Sequence, residues 1–208
     1  MTDAALNTNP TELSTYQLSD QFFVQRASKE DLAGVLDVYN QSIPGKQATA
    51  NLALVTVDER MAWFEEHINS TTRPIYVVKK ALAHNDSTEQ TVSQVVAWGS
   101  FSDLYARTAY HISTEISVYL SQDCHGQGLG SSLTRWMLSQ APRLGIRNVI
   151  ALVFAHNQPS LGLFRKLDFE QWGYMPEVCD MDGFIADVVM LGKAVTSDNT
   201  SDKETKAR

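Results

Sequence analysis

Three glycines at alternate positions, Gly126, Gly128 and Gly130, could bind an anion through the backbone of the chain. They follow a β-branched and aromatic stretch, residues 112–120, which predicts a buried strand. They precede apolar residues at helical spacing that begin at Leu129. A strand, a glycine-rich turn and a helix point unpaired N–H groups and the positive end of the helix at one place. This order favours a phosphate site, the alternative being a turn that only lets strand and helix approach closely.

The spacing of the glycines narrows the kind of phosphate ligand. A Walker loop ends in Lys followed by Ser or Thr, and no Lys follows these glycines. A dinucleotide fingerprint that started at Gly126 would need a glycine at its sixth position, where the chain has Ser131. Both of these ligand classes are therefore disfavoured.

Composition limits the class of protein and its partners. The chain has 208 residues, 43% of them hydrophobic, which suits one globular domain. We expect that domain at residues 21–194, between disordered polar tails at 1–20 and 195–208. The net charge of −7 without a Lys/Arg cluster argues against a nucleic-acid partner. Because we find neither a signal-peptide pattern nor a long apolar run, we expect a cytoplasmic protein with no membrane partner.

The cysteines and histidines show no metal-ligand spacing. Cys124 and Cys179 are far apart and neither belongs to a C-x-x-C pair, so both are predicted to be free thiols. His111 and His156 have no other ligand at a suitable spacing. We predict no metal site.

The hydrophobic periodicity predicts the order β-α-α-β-β-β-α-β-α-β-β. Such an order gives an α/β (α+β) domain with a mixed, mostly antiparallel central sheet of about seven strands, flanked by about four helices. Thr56 and Glu59 form a capping-box pattern before the second helix. The preceding loop, residues 44–55, is long enough to suggest a functional role.

Several local patterns resemble the GNAT superfamily of N-acetyltransferases, and the resemblance covers about residues 22–192. The turn is similar to the family's pyrophosphate-binding turn, with His125 where Arg or Gln is common. Residues 106–110 (ARTAY) followed by Glu115, and residues 157–160 (NQPS), are similar to the phosphinothricin and methionine sulfoximine N-acetyltransferase branch and to the family's pantetheine region.

The resemblance implies a GNAT fold, acetyl-CoA as cosubstrate and a homodimer. It also implies transfer of an acetyl group to the amine of a small amino-acid-like substrate, of the phosphinothricin or methionine sulfoximine type. Acetylation of a protein or peptide amine remains an alternative. So does a non-catalytic acyl-CoA-binding sensor.

The resemblance also implies roles for individual residues. Glu115 is the expected general base for direct attack of the amine, and Arg107 and Tyr110 are the candidates for substrate recognition. Asn157 and Ser160 are expected beside the pantetheine arm, although Asn157 is an equally good helix cap. Backbone N–H groups on the strand are expected to hold the acetyl carbonyl and pantetheine, at Val118, Tyr119 and Leu120. The turn is expected to hold the pyrophosphate, through Gly126, Gln127, Gly128, Leu129, Gly130 and Ser131.

The chain departs from the family's pattern at three places. Phe164 stands where many relatives have a Tyr that is a candidate proton donor to the leaving thiolate. Asp168 replaces the usual Gly at a helix end, where a left-handed cap is harder for it to adopt. Residues 184–187 (FIAD) replace a Trp-x-Asp pattern, so we expect a differently shaped aromatic element in the pocket.

Overall fold

The computed structural model describes residues 15–84 and 91–195, and the outer parts of the two predicted tails, 1–14 and 196–208, lie outside it. The described residues form one eight-stranded sheet in the order β1-β2-β3-β4-β5-β6-β8-β7. The strands are β1 Tyr16–Gln17, β2 Phe22–Arg26, β3 Ile75–His84, β4 Thr91–Asp103, β5 Ser113–Leu120, β6 Asn148–Phe154, β7 Glu170–Asp180 and β8 Ile185–Ala194. The α-helices are α1 Leu32–Asn40, α2 Val57–Asn69, α3 Leu129–Gln140 and α4 Gln158–Lys166.

The predicted mixed, mostly antiparallel sheet is confirmed, with one strand more than the expected seven. The extra strand, β1, lies within residues 1–20, so the boundary of the predicted N-terminal tail was wrong there. Tyr16 and Gln17 pair with the first core strand, β2, and the Tyr16 ring lies 6.0 Å from the Trp136 ring. An aromatic contact of this kind orders a short strand whose own sequence is polar.

The two parallel strands at the centre of the sheet, β5 and β6, pair over only part of their length. β5 and β6 pair from Ser113 opposite Asn148 to Glu115 opposite Ile150, and no further. Beyond that point β5 remains paired with β4 as far as Leu120, while β6 remains paired with β8. The edge of β5 that faces β6 therefore has no strand partner over residues 116–120, and a gap opens between the two strands.

Two apolar layers cover the sheet and place its side chains on opposite faces. Alternation along β5 directs Ile116 into the layer under α3 and α4, and directs Tyr119 into the layer under α1 and α2. The predicted capping box at the start of α2 is confirmed, because the Glu59 carboxylate accepts from the Thr56 N–H at 2.8 Å. The two faces are called the α3 face and the α2 face below.

The backbone is strained at Asp168, just after α4. The sequence has Asp at this position instead of the usual glycine. Asp168 has a φ of +60°, a conformation that favours Gly over residues with a Cβ atom. Asp168 forms an ion pair with Lys193 at 3.5 Å, but the Asp168 side chain is exposed, so the pair contributes little.

Replacing Asp168 with Gly is expected to stabilise the fold by about 0.5–1 kcal/mol, which raises the Tm by about 1–4 °C. Asp168→Ala is the matched control and should lower the Tm, because Ala keeps the Cβ atom and loses the local hydrogen bonding that helps Asp adopt this conformation. Thermal unfolding of the two variants measures the difference. Equal Tm values would contradict the assignment of strain to this residue.

Candidate active site

A cavity of about 770 Å³ occupies the gap between β5 and β6. Its wall combines the free edge of β5, the glycine turn and the start of α4, which are the three parts of the chain that the sequence predicted to meet. Ten of the predicted cofactor-binding residues line it: Val118, Tyr119, Leu120, Gly126, Gly128, Leu129, Gly130, Ser131, Asn157 and Ser160. Gln127 is not among the lining residues, because its side-chain amide turns back to donate to the Asp123 carbonyl at 2.7 Å.

The glycine turn leaves the start of α3 free to bind an anion. Gly126 and Gly128 have φ values of +74° and +78°, and Gly128 is the cap residue of the helix. Glycine brings no side chain, so none caps the first N–H groups of α3. These donors face a cavity long enough to continue along β5, so the residues present fit a ligand with a diphosphate group and an extended arm, such as acetyl-CoA.

Both polar atoms of the Asn157 side chain form hydrogen bonds within the fold. Its Oδ1 accepts from the Ser160 N–H at 3.1 Å and its Nδ2 donates to the Gln47 carbonyl at 2.9 Å, while the residue is 6% exposed. The second bond ties the 44–55 loop to the start of α4. His156 adds to this attachment through a bond between Nε2 and the Lys46 carbonyl. The predicted helix cap is therefore present, and the same side chain also fixes one wall of the cavity.

Asn157→Ala is expected to destabilise the protein by about 1–2 kcal/mol, because it removes the cap of α4 and the hydrogen bond that attaches the 44–55 loop. Gln158→Ala changes the neighbouring, exposed amide and serves as the control. Chemical denaturation of both variants gives the comparison. A loss below about 0.5 kcal/mol in Asn157→Ala would show that the loop does not depend on this attachment.

Glu115 lies on the α2 face of β5, at the last paired position before the gap. Burial raises the pKa of its carboxyl above the ordinary value. Its cross-strand partner on β4 is Ser102, whose Oγ lies 3.0 Å from His67 Nε2. Because His67 Nδ1 must donate to the Trp63 carbonyl, Nε2 is the acceptor in the neutral ring, and the Ser102 hydroxyl is already committed as its donor. Within the described residues, Glu115 thus receives no hydrogen bond from its cross-strand partner Ser102.

The α2 face next to Glu115 contains two buried polar atoms that have no hydrogen-bond partner among the residues the structure describes. They are the Ser100 Oγ and the Trp98 Nε1, in residues that are 1% and 0% exposed. Ser100 pairs across the sheet with Ser117, and Trp98 with Tyr119, whose ring stacks on it at 4.7 Å. Native proteins leave few buried polar atoms unsatisfied, and those few often mark a binding site.

A smaller cavity, of about 300 Å³, opens on the same face of the sheet. Trp63, His67 and Ser102 contribute to its wall. The α2 face therefore has space for a second ligand, while the large cavity lies in the gap itself. Within the described ranges, 15–84 and 91–195, no cluster of three potential metal ligands is found.

The two residues predicted to recognise the substrate lie apart from the large cavity. Arg107 and Tyr110 are exposed in the loop between β4 and β5, and Tyr110 packs its ring edge against Tyr105 at 4.9 Å. Neither residue is among those lining the cavity. Their role in binding remains a prediction.

Other residues that line the cavity were not found from the sequence. Gln41, just after α1, accepts from the Gln122 N–H at 3.1 Å and so connects α1 to the start of the glycine turn. Leu163 and Lys166 line the cavity from α4. The helical spacing of Leu163 relative to Ser160 was the available signal, because residues three apart on a helix share a face.

The sequence profile of the acetyltransferase (GNAT) family matches residues 53–169, which span the helix α2, the glycine turn and α4. The chain belongs to the GNAT family. It is therefore an acetyl-CoA-dependent N-acetyltransferase.

Individual GNAT proteins extend the comparison. YwnH of Bacillus subtilis, provisionally named a phosphinothricin acetyltransferase, is 39% identical over 170 residues, which cover 82% of this chain and 97% of YwnH. The L-methionine sulfoximine/L-methionine sulfone acetyltransferase of Pseudomonas aeruginosa is 29% identical over 168 residues, covering 81% of this chain and 91% of that protein. A phosphinothricin acetyltransferase from Sinorhizobium meliloti, solved in complex with acetyl-CoA, has a TM-score of 0.72 and 25% identity over 84% of this chain and 89% of its own.

No helix in the part of the GNAT chain that the structure describes is long and apolar enough to cross a membrane. Cys124, which lines the cavity, is buried, and burial raises the pKa of its thiol. A raised thiol pKa leaves less of the reactive thiolate at neutral pH. Cys124 therefore has no feature of an activated nucleophile.

Proposed function

We propose that this enzyme acetylates the amine of a small amino-acid-like substrate, with Glu115 as the general base. The observation that carries the proposal is the position of Glu115. Its carboxylate is half-buried, receives no side-chain hydrogen bond within the described residues, and lies where the central strands part. A base with a pKa raised toward neutrality is suited to remove a proton from an ammonium group.

The proposed reaction transfers the acetyl group directly from the thioester to the amine. The nitrogen lone pair of the neutral amine attacks the thioester carbonyl, the C–N bond forms and the C–S bond breaks. Glu115 accepts the proton that the amine gives up, directly or through one water. The N–H groups of Val118 and Leu120 point at the free edge of β5, because alternate residues of the strand turn theirs toward β4. These two groups hold the carbonyl oxygen as negative charge develops on it.

The leaving thiolate has no proton donor at the usual family position. Phe164 lines the cavity, is 6% exposed and packs on Phe169 at 5.0 Å. A phenyl ring cannot give a proton, so water protonates the thiolate. Lys166, at the end of α4, gives the opening of the cavity a positive charge that suits an anionic leaving group.

The similar proteins support the substrate class, because YwnH and the Pseudomonas aeruginosa protein are named for phosphinothricin and for methionine sulfoximine or sulfone. Each of these acceptors is an α-amino acid with a tetrahedral phosphorus or sulfur group in its side chain. The small cavity on the α2 face, with His67 and Arg73 in its wall, offers polar groups for such a side chain.

Acetylation of a protein amine is less well supported by the geometry. Asn157, His156 and Lys46 fasten the 44–55 loop over one side of the gap. An extended peptide needs an open groove, and the attached loop narrows the approach. A non-catalytic sensor would not need an unpaired carboxylate beside the gap.

Thiol release from acetyl-CoA tests the proposal against a panel that contains phosphinothricin, L-methionine sulfoximine, the ordinary amino acids, polyamines and a peptide with a free N-terminus. We expect turnover to be confined to carboxylated small amines. Turnover with the peptide alone would overturn the small-molecule assignment. Acetyl-CoA binding with no turnover on any amine would favour the sensor.

We also infer that the enzyme is a homodimer assembled through β7 and β8. This hairpin exposes apolar residues that a monomer would leave in water: Trp172, Tyr174, Val178, Phe184 and Ile185. Light scattering after size exclusion should give twice the chain mass, and Ile185→Glu should shift the equilibrium toward monomer. Leu54→Glu, at an exposed leucine far from the hairpin in sequence, is the control. A wild-type monomer at micromolar concentration would contradict the inference.

A further inference from the structure

Arg73, in the connection between α2 and β3, is a buried arginine whose guanidinium donates four hydrogen bonds. The residue is 8% exposed. Its Nε donates to Asp103 Oδ1 at 2.7 Å, and its Nη1 donates to the Thr72 carbonyl at 3.1 Å. Its Nη2 donates to the His111 carbonyl at 2.7 Å and to the Ser113 carbonyl at 3.3 Å. A guanidinium has five N–H groups, so most of these donors are used within the fold.

Three of the four acceptors lie at the ends of one loop, residues 104–112. One is the last residue of β4, one is the first residue of β5, and the third lies inside the loop near β5. The loop carries Arg107 and Tyr110, which the sequence predicts to recognise the acceptor. A single buried side chain thus connects the two ends of the loop that bears both candidates.

The sheet alone does not fix the direction in which this loop leaves it. The ladder between β4 and β5 ends at Asp103 opposite Thr114. Beyond that pair, the bond from Arg73 to the His111 carbonyl continues the attachment on the β5 side, while the bond to Asp103 holds the β4 side. A planar guanidinium can bond to several acceptors in fixed directions at once, which the ammonium group of a lysine does less well.

The interior of the loop has little to order it. Residues 105–111 are exposed. The hydrogen bonds inside the loop are local, such as that from the Tyr110 N–H to the Arg107 carbonyl at 2.9 Å, and the Tyr105 ring packs on that of Tyr110. At the β5 end, the Ile112 carbonyl also accepts from the chain just before β6, at 2.7 Å. Exposed side chains bury little apolar surface, so the order of this loop depends on its attachments.

Removal of the guanidinium would release the loop without leaving a buried charge unpaired. The Arg73 side chain is 10% exposed, whereas that of Asp103 is 66% exposed, so the carboxylate would remain in water. The His111 and Ser113 carbonyls would lose donors, and buried carbonyls without partners are unfavourable. We expect the loop to move outward, where water can replace the lost donors.

We infer that Arg73 is a positioning residue, which acts through the 104–112 loop and sets where Arg107 and Tyr110 meet the acceptor. This inference rests on the proposed function. Glu115 is held independently of Arg73, because β5 is paired with β4 and with β6 at that residue. The cavity in the gap is lined by other parts of the chain. Acceptor binding should therefore depend on Arg73, while the base and the cosubstrate site should not.

The kinetic test compares the wild type, Arg73→Met and Arg26→Met, with L-methionine sulfoximine as the acceptor. Arg26 is the matched control, because it donates to the Ser70 carbonyl in the same connection and, within residues 15–84 and 91–195, makes no hydrogen bond to the 104–112 loop. We expect Arg73→Met to raise the KM for the acceptor at least about tenfold and to change kcat and the KM for acetyl-CoA by less than about threefold. Arg26→Met should leave all three constants near the wild-type values.

Limited proteolysis measures the order of the loop without turnover. Trypsin cleaves after Arg107 when the loop opens, and cleavage after Arg143, exposed in the turn at 141–144, is the internal reference. We expect the ratio of the two cleavage rates to rise at least about tenfold in Arg73→Met and to stay within about twofold of the wild type in Arg26→Met. Mass spectrometry of the fragments measures both rates.

Arg73→Lys replaces the Met variant if that variant fails to fold. Lys keeps the positive charge beside Asp103 and loses part of the hydrogen bonding to the loop. Both the acceptor KM and the cleavage ratio should then rise by about three- to tenfold.

Three results would overturn the inference. An unchanged acceptor KM would show that binding does not depend on Arg73. A raised acceptor KM without faster cleavage after Arg107 would indicate direct contact between Arg73 and the acceptor. The same effects in Arg26→Met, or an equal loss of acetyl-CoA affinity, would indicate general destabilisation. A wild type that acetylates no small amine would overturn the proposed function, and the cleavage ratio would still decide whether Arg73 positions the loop.

Discussion

Glu115→Gln is expected to lower kcat by about 10²- to 10³-fold and to leave the KM for acetyl-CoA nearly unchanged. A general base contributes in this range, and Gln keeps the size of the side chain while losing the ability to accept a proton. We expect the cosubstrate to bind in the gap, whereas the Glu115 side chain lies on the α2 face, so cosubstrate binding should not depend on Glu115. Steady-state kinetics of thiol release measures both constants.

Glu65→Gln is the matched control, because Glu65 is an exposed carboxylate on α2 with only a 3.9 Å ion pair to Lys29. It should behave as the wild type. A Glu115→Gln enzyme within about threefold of the wild-type kcat would show that the base is another group or that solvent accepts the proton.

The pH dependence of kcat should reveal the titration of the Glu115 carboxylate. Burial raises the pKa of Glu115, and the base works only when ionised, so activity is lost as the pH falls through that raised pKa. The acid limb of kcat should therefore begin above the pH at which an ordinary Glu titrates, near 4.5. In Glu115→Gln this limb should disappear, leaving only the dependence that comes from the amine itself.

The raised pKa of Glu115 also predicts that its negative charge lowers the stability of the fold at neutral pH. A carboxyl with a raised folded-state pKa stabilises the native state below its unfolded pKa, and that contribution is lost as the pH rises through the folded value. At pH 7 the wild type therefore holds a partly buried charge without a partner. We expect Glu115→Gln to have a higher Tm than the wild type at pH 7 and a smaller difference at pH 4. A lower Tm at pH 7 would contradict the account of this environment.

Gly128→Ala should raise the KM for acetyl-CoA at least about tenfold. Gly128 caps α3 with a φ of +78°, which a residue with a Cβ atom adopts only at a cost of about 1 kcal/mol or more. If the turn relaxes to relieve that strain, the free N–H groups at the start of α3 move away from the pyrophosphate. The measurement is the initial rate against acetyl-CoA concentration.

Gly145→Ala is the control that separates the effect of backbone strain from a loss of acetyl-CoA binding. Gly145 has nearly the same φ, +75°, an added Cβ would likewise meet nothing within 4 Å, and it ends the short helical turn at 141–144, which lies outside the lining of the cavity. Both variants should lose similar stability, and only Gly128→Ala should lose affinity. Equal effects on KM would mean that the glycine turn does not hold the pyrophosphate.

Much of the fold could be read from the sequence because strong local signals agreed with one another. The capping box at Thr56, the glycines before Leu129 and the asparagine and proline before Leu161 each mark a helix start with its own physical mechanism. The β1 strand was missed because two residues are too short for a strand pattern, and its pairing with β2 and the distant contact of Tyr16 with Trp136 order it.

The cosubstrate side of the site was easier to predict than the acceptor side. Backbone N–H groups at a glycine turn follow from local sequence. The acceptor side depends on contacts between segments far apart in the chain, such as His67 with Ser102 and Arg73 with His111. Arg107 was prominent in the sequence because it stands near Glu115, and its role in substrate binding stays a prediction.

The most direct test of the central claim follows the acetyl group itself. Acetyl-CoA labelled with ¹³C in the acetyl carbonyl is incubated with L-methionine sulfoximine and either the wild type or Glu115→Gln, and NMR locates the label. We predict an N-acetyl amide on the α-nitrogen with the wild type, and at least a hundredfold slower appearance of that product with the variant. Label that remains on the thioester, or that reaches the protein and not the amino acid, would contradict the account.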